Sequence, residues 1–180
     1  MLKSHSQKIK KIAIVGPECT GKSELSKYLA QHFNTCWVAE YARGYIDNLN
    51  TPYSEDDLVK IAHGQIRLED EWISKANQVL ICDTNLLVIK VWSNFKYGHC
   101  SEEILQLIKE RTYDLYLLTY IDIPWQEDSQ REHPNEREAL WEIYKEELEQ
   151  QDTPYVKIKG EREARRAIAV KAIENLLNRE

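Results

Sequence analysis

The chain has 180 residues, 42% of them hydrophobic, and a formal net charge of −6. That length and apolar content suffice for one domain with a real core and no covalent staples, while the acidic balance excludes a surface built for nucleic acid or anionic membrane. Cys19, Cys36, Cys82 and Cys100 show no C-x-x-C spacing, which excludes a zinc site or secreted disulfide framework and predicts reduced thiols.

Met1 to Lys11 carries four lysines and little apolar content, so a mobile lead-in is expected there, with residues 1–10 outside the folded domain. It lacks the apolar core of a signal peptide, and the longest apolar run, Leu86-Leu87-Val88-Ile89, is far too short to span a bilayer. A cytoplasmic protein is expected.

Ile12-Ala13-Ile14-Val15 reads as a buried strand. It runs into Gly16-Pro17-Glu18-Cys19-Thr20-Gly21-Lys22-Ser23, and a helical pattern follows to Phe33, with Leu25, Tyr28 and Leu29 at helical spacing. The spacing G-x-x-x-x-G-K-S between a strand and a helix has a mechanism. Successive main-chain N–H groups converge on phosphate oxygens, the helix presents its positive end to them, Lys22 reaches the outer phosphates and Ser23 coordinates magnesium. Cys19 inside the loop is read as a structural thiol.

Trp37-Val38-Ala39 is a short buried strand, followed at once by Glu40-Tyr41-Ala42-Arg43-Gly44-Tyr45. Asn48 to Ser54 is turn-rich. Ser54-Glu55-Asp56-Asp57 then reads as a cap with acidic first-turn residues, opening a long helix that keeps its period until Asn77. Val79 to Thr84 reads as a buried parallel strand ending in the carboxylate of Asp83, where the topology puts ligand-facing groups. Asn85 to Phe95 is apolar nearly all round and predicts a helix buried on more than one side. Another helix starts at Ser101, and Tyr113 to Tyr120 is a fourth strand.

The polar, proline-bounded segment from Asp122 to Arg137 leaves the same sheet end and reads as a lid. Helix resumes from Asn135 to Gln151, Tyr155 to Ile158 is a fifth strand, and Gly160 begins a last crossover into helix. Strand and helix alternate five times, which is the pattern of a three-layer α/β/α sandwich around a parallel sheet.

A phosphate loop alone leaves hydrolysis, transfer and switching open, so the other strand ends must decide. Asp83 suits the magnesium shell or the orientation of an attacking hydroxyl, or it caps the helix at Asn85. Glu40 suits a base or a hydroxyl-binding carboxylate. Arg131 and Arg137 suit cations closing over phosphates if the segment bends at Pro134, or they are solvated. Arg43 faces substrate or pairs with Glu40. Trp92 and Trp125 are core or cleft, and Lys159, Arg162, Arg165 and Arg166 read as a solvated helix face rather than an adenine or phosphate contact.

Taken together, Gly16 to Ser23, Glu-Tyr-Ala-Arg-Gly-Tyr (Glu40 to Tyr45), Cys-Asp-Thr-Asn (Cys82 to Asn85) and Trp-Gln-Glu-Asp-Ser-Gln-Arg (Trp125 to Arg131) resemble the kinase module of NadR-type proteins. These are ATP-dependent ribosylnicotinamide kinases of NAD salvage. The resemblance runs from about Ile12 to the end of the chain. It implies a P-loop NTPase fold of nucleoside-kinase type with a short lid, and transfer of the γ-phosphate of ATP to the ribose 5′-hydroxyl of nicotinamide riboside. Lys22, Ser23 and the rest of the loop would hold ATP and Mg2+, with Asp83 as metal partner. Asp83, Glu40 or both would activate the acceptor, and Arg131 with Arg137 would form the lid. In some members an aromatic residue precedes the strand-two glutamate and stacks on the nicotinamide ring. Here that residue is Ala39, so Tyr41, Tyr45 or Trp92 would supply the stacking and Arg43 would complete the substrate pocket. No H-x-G-H nucleotidyl-transfer motif is present, so adenylyl transfer is not expected. A nucleotide-dependent regulator, or a kinase for another nucleoside, stands as the alternative. The expected partners are small molecules, not nucleic acid or membrane.

Overall fold

The computed structural model describes residues 8–179. The first part of the expected lead-in, residues 1–7, lies outside that range, and its end is a correction: Lys10 and Lys11 already belong to strand β1 (Lys10–Val15). Position 10 enters the ladder because Lys10 pairs in register with Val79 and Lys11 with Leu80, and both ammonium groups meet carboxylates, Lys10 that of Asp114 at 3.8 Å and Lys11 that of Glu69 at 2.8 Å.

The remaining elements are α1 (Lys22–His32), β2 (Trp37–Val38), α2 (Tyr41–Asp47), α3 (Glu55–Ile73), β3 (Val79–Asp83), α4 (Leu86–Tyr97), α5 (Glu102–Lys109), β4 (Leu115–Thr119), α6 (Arg137–Glu149), β5 (Tyr155–Ile158) and α7 (Arg162–Leu177). The five strands form one parallel sheet in the order β2-β3-β1-β4-β5. The chain returns from β2 to place β3 beside β1, then crosses to place β4 on the other side of β1, so the first strand ends up in the centre of the sheet. Ligands bind in such sheets at the carboxyl ends of the strands, and here β1, β2 and β3 send Gly16, Glu40 and Asp83 to that edge.

The strands alternate their apolar residues between two cores. Ala13, Val15, Leu80 and Leu118 face a layer containing Trp141, Tyr144 and Leu148 of α6. Ile12, Ile14, Ile81 and Leu117 face Leu25 and Leu29 of α1 with Ala169 and Ile173 of α7. Period-two alternation in fully buried strands therefore builds both outer layers of the sandwich. A third cluster, Ala42, Leu58, Ile61, Ala62, Leu86, Ile89 and Ile104, joins α2 to α5 beside the sheet. It explains why Leu86 to Val91 is apolar nearly all round, since α4 packs between the main core and this annex.

Caps set the helix starts as the sequence suggests. Ser54 and Asp57 exchange bonds in a capping box, and the Ser101 hydroxyl accepts from the Ile104 N–H at 3.3 Å. The Asn85 amide oxygen accepts from the Leu87 N–H at 3.1 Å, so α4 caps itself and leaves the Asp83 carboxylate unused for that purpose. The short α2 was not evident from periodicity. Its seven residues fall below the length at which a helix is stable alone, and it is held by packing on α3.

Candidate active site

Between β1 and α1 the chain winds through Gly16 to Gly21. Gly16 adopts φ +141°, and a Cβ there would meet Oγ1 of Thr119 at 2.5 Å and its carbonyl oxygen at 2.8 Å. Only glycine fits a position that combines this backbone with such close approach. Cys19 takes a left-handed φ of 55°. The Thr20 hydroxyl donates to the Pro17 carbonyl at 2.8 Å and lies 2.7 Å from the Thr119 hydroxyl, which itself donates to the Val15 carbonyl. The loop is thereby pinned to the end of β4. Lys22 folds back over it and donates to the carbonyls of Gly16 at 3.0 Å and Pro17 at 2.7 Å. Burial pushes the Lys22 ammonium below its usual pKa, and the nearby carboxylates of Glu40 and Asp83 act against that shift.

Burial pushes both of those carboxyls up. Asp83 closes β3 and is buried, with Oδ1 shielded and lacking a hydrogen-bond partner. Its upward shift is opposed by the Ser23 hydroxyl and the Lys22 ammonium. Glu40 precedes α2 and lines the cleft. Its pKa is raised by burial and by Asp83, and pulled back by Lys22 and Arg43. A cation near two desolvated carboxyls is the arrangement in which acid–base and phosphate-binding roles are set by environment.

The cleft is about 550 Å³ in volume. One end is the whole loop from Gly16 to Ser23, and the other is lined by Val88, Val91, Trp92 and Phe95 of α4 with Leu140 and Tyr144 of α6. Ser129 to His133 of the 122–137 segment also line it. That segment closes on the loop at several points. The Glu18 carboxylate accepts from the main-chain N–H groups of Glu132 and His133, at 3.0 and 3.2 Å. The Gln126 N–H donates to Cys19 Sγ at 3.3 Å. Glu132 accepts from Lys96 of α4 at 3.2 Å and from the Tyr53 hydroxyl, in the segment before α3, at 2.8 Å, and Tyr53 in turn accepts from Trp92 Nε1 at 2.9 Å and from Lys96.

Several sequence expectations change here. Tyr41 and Tyr45 do not line the cleft: the Tyr41 ring lies on Gly64 of α3, and the Tyr45 hydroxyl donates to Asp57 at 2.8 Å. The reason is the helical turn of α2, which sends positions 41 and 45 to one face, toward α3, while Glu40, Ala42, Arg43 and Ile46 line the cleft. Of the stacking candidates only Trp92 lines it, packed edge-on against Tyr53 with ring centroids 4.8 Å apart. Arg43 lines the cleft but its salt bridge is to Asp128, at 3.0 Å, rather than to Glu40. Arg131 lines the cleft and donates to the Gln126 carbonyl. Arg137, the first residue of α6, donates to the carbonyls of Cys19 at 3.3 Å and Ile123 at 2.9 Å and stays outside the lining. Trp125 sits between the guanidinium groups of Arg131 and Arg137, 5.9 and 5.6 Å from its ring centre. The solvated-face reading fails at Arg165, which is buried with its guanidinium on Thr20, Tyr120, Gly160 and Asp122.

Sequence reasoning missed Tyr53, Lys96 and Glu132. Lys96 stands one turn after Trp92 on α4, a spacing that puts both on one face, but Tyr53 and Glu132 lie in irregular segments that carry no period.

An AAA-domain family matches residues 11–165. The chain belongs to this AAA-domain family. Over 161 residues, 85% of the chain, this AAA domain is 30% identical to the trifunctional NAD biosynthesis/regulator protein NadR of Escherichia coli K12, and over 84% it is 29% identical to NadR of Salmonella typhimurium. It spans 39% and 38% of those relatives, so it matches only part of their length. The AAA domain has the P-loop fold of a NadR structure solved with NR, at TM-score 0.76 and 22% identity, covering 94% of this chain and 51% of the other. It also shares the fold with thymidylate kinase from Candida albicans, at TM-score 0.70 and 15% identity over 96% and 94% of the two chains. Among the described residues no helix is long and apolar enough to cross a membrane.

Proposed function

We propose that this AAA domain is a small-molecule kinase that passes the γ-phosphate of ATP to the ribose 5′-hydroxyl of nicotinamide riboside. The observation that carries the reading is a cleft with Lys22 and Glu40 at its phosphate-loop end, Asp83 buried next to Ser23 beneath that end, and an aromatic, apolar far end. A switch that only hydrolyses nucleotide has no use for that second compartment. The choice of acceptor rests on the similarity to NadR.

The main-chain amides of the loop and Lys22 hold the phosphate chain, and Arg131 adds positive charge from the lid. Phosphoryl transfer depends mostly on positioning and neutralisation. Glu40 faces the cleft, which supports it as the group that accepts the proton of the acceptor hydroxyl. A carboxyl raised by burial is suited to that task near neutral pH. Asp83 sits behind Ser23 with a shielded, unpartnered oxygen, and an acidic and a hydroxyl oxygen together suit a hard cation. Ser23 and Asp83 would hold Mg2+, which supplies charge neutralisation on the phosphate oxygens when bound. Trp92 and Tyr53 form the wall on which a flat base would rest. The lid, tied to Glu18 and Tyr53, excludes water from the transfer.

The test is ADP release from ATP and magnesium across a panel of nucleosides. Stoichiometric consumption of nicotinamide riboside is expected. Equal ADP release with and without any nucleoside refutes the kinase reading, and preference for another nucleoside refutes the acceptor.

A further inference from the structure

The Arg165 side chain has no counterpart among the groups that face the cleft, yet it is 5% exposed and makes more main-chain contacts than any other charged side chain described. From the first turn of α7 its Nε donates to the Gly160 carbonyl at 2.8 Å, one terminal nitrogen donates to the Thr20 carbonyl at 2.9 Å, and the other donates to the Tyr120 carbonyl at 2.8 Å. Asp122 closes the set by accepting from Arg165 and, at 2.5 Å, from the Gly160 N–H. One planar fork thus ties together the end of β4, the turn after β5 and the phosphate loop.

The Thr20 contact bears on chemistry. The Thr20–Gly21 peptide is trans, as are all peptides among the described residues, so its C=O and N–H point in opposite directions. Fixing the carbonyl on a buried guanidinium turns the Gly21 N–H the other way, and Gly21 lines the cleft. On the adjacent peptide, Arg137 holds the Cys19 carbonyl at 3.3 Å. Two cations behind the loop also place positive charge close to where an anion would sit, without touching it.

We infer that Arg165 is a positioning residue of the phosphate cradle, holding the Thr20–Gly21 peptide so that the Gly21 N–H donates to bound phosphate, with Asp122 as the group that orients it. The inference rests on the reading of the loop as a nucleotide site. Lysine cannot reproduce the role, because a single ammonium cannot span three carbonyls with fixed geometry.

The experiment is titration of wild type, Arg165→Lys, Arg165→Met and Asp122→Asn with ADP and with inorganic pyrophosphate, alongside melting curves and the amide spectrum of Gly21. The Arg165 variants should lose about 10-fold or more in affinity for both ligands, the range of a lost charge-assisted hydrogen bond, and the Gly21 amide should lose its ligand-induced shift. A lowered melting temperature with unchanged affinity and an unchanged Gly21 shift overturns the inference and leaves the nucleotide site standing. Wild type that binds neither ligand overturns both. Should the Arg165 variants not fold, Asp122→Asn decides, since Asp122 is exposed: weakened pyrophosphate binding supports the inference and wild-type binding overturns it.

Discussion

Gly64→Ala tests how the acceptor side of the cleft is held. Gly64 is buried within α3, and a Cβ there would lie 2.1 Å from Cε1 of Tyr41, with two more ring carbons at 2.3 and 2.4 Å. The ring must retreat from 2.1 Å to the 3.4 Å of ordinary contact, about 1.3 Å. It is fenced by Tyr45, at 6.1 Å between centroids, and by Arg67 over its face at 5.9 Å. The Tyr41 N–H is meanwhile fixed to Gln65 at 2.9 Å. Overpacking of this kind costs about 1–3 kcal/mol, and alanine in a helix interior returns about 1 kcal/mol relative to glycine. The net loss is about 1 kcal/mol, read as a fall of about 2–4 °C in melting temperature for a chain of this size. Activity should fall further, because Tyr41 directly follows Glu40 and a shift near 1 Å at a reacting group costs on the order of 10²-fold. The assay is a double-mutant cycle with Tyr41→Ala, followed by calorimetry and by ADP release. Without the ring the same Gly64→Ala change should stabilise, so the sign reverses between backgrounds. The same sign in both backgrounds would refute the packing argument.

Lys22→Ala should abolish ADP release and nucleotide binding while leaving the circular dichroism spectrum unchanged; binding at wild-type affinity would remove the loop from the mechanism. Glu40→Gln and Asp83→Asn should each reduce transfer by about 10²-fold or more. Both carboxyls are raised by burial, so wild-type activity should be lost as pH falls through a value above the ordinary carboxylate range of about 4, and a limb at or below that range would contradict the assignment. A raised folded-state pKa also means that the ionised form costs stability above it, so Glu40→Gln should melt higher than wild type at pH 7, and a lower melting point counts against the burial argument. Glu69 is buried between Lys11, at 2.8 Å, and the Tyr113 hydroxyl, at 2.7 Å; Glu69→Ala should cost about 3 kcal/mol without changing ADP affinity, measured by denaturant titration and calorimetry.

How much of the site could be read beforehand depends on the kind of residue. Gly16 to Ser23 is local: its spacing is dictated by the backbone geometry of a single turn, so a linear pattern carries it. Asp83 and Glu40 were legible as strand-end carboxylates, since a parallel sheet delivers its carboxyl ends to one edge. Tyr41 and Tyr45 were misplaced because Glu40 to Tyr45 was not recognised as the start of a helix. The turn of α2 sends every third or fourth residue to the same face, and tertiary contacts, with α3 foremost, stabilise so short an element. Arg165 was misplaced for a different reason. Its neighbours Arg162 and Arg166 make ion pairs with Glu24, and nothing in a run of basic residues marks the one whose fork meets three carbonyls.

By itself the amino-acid order determined the alternation of strand and helix, the phosphate loop and the two acidic strand ends, because each follows from local periodicity, capping or turn chemistry. The tertiary structure decided the strand order, the turning of Tyr41 and Tyr45 onto α3, the Tyr53–Glu132 link across the lid and the burial of Arg165. Those depend on which surfaces meet across long sequence separations, as Arg165 does when it reaches Thr20 over 145 positions, and no local pattern records such a meeting.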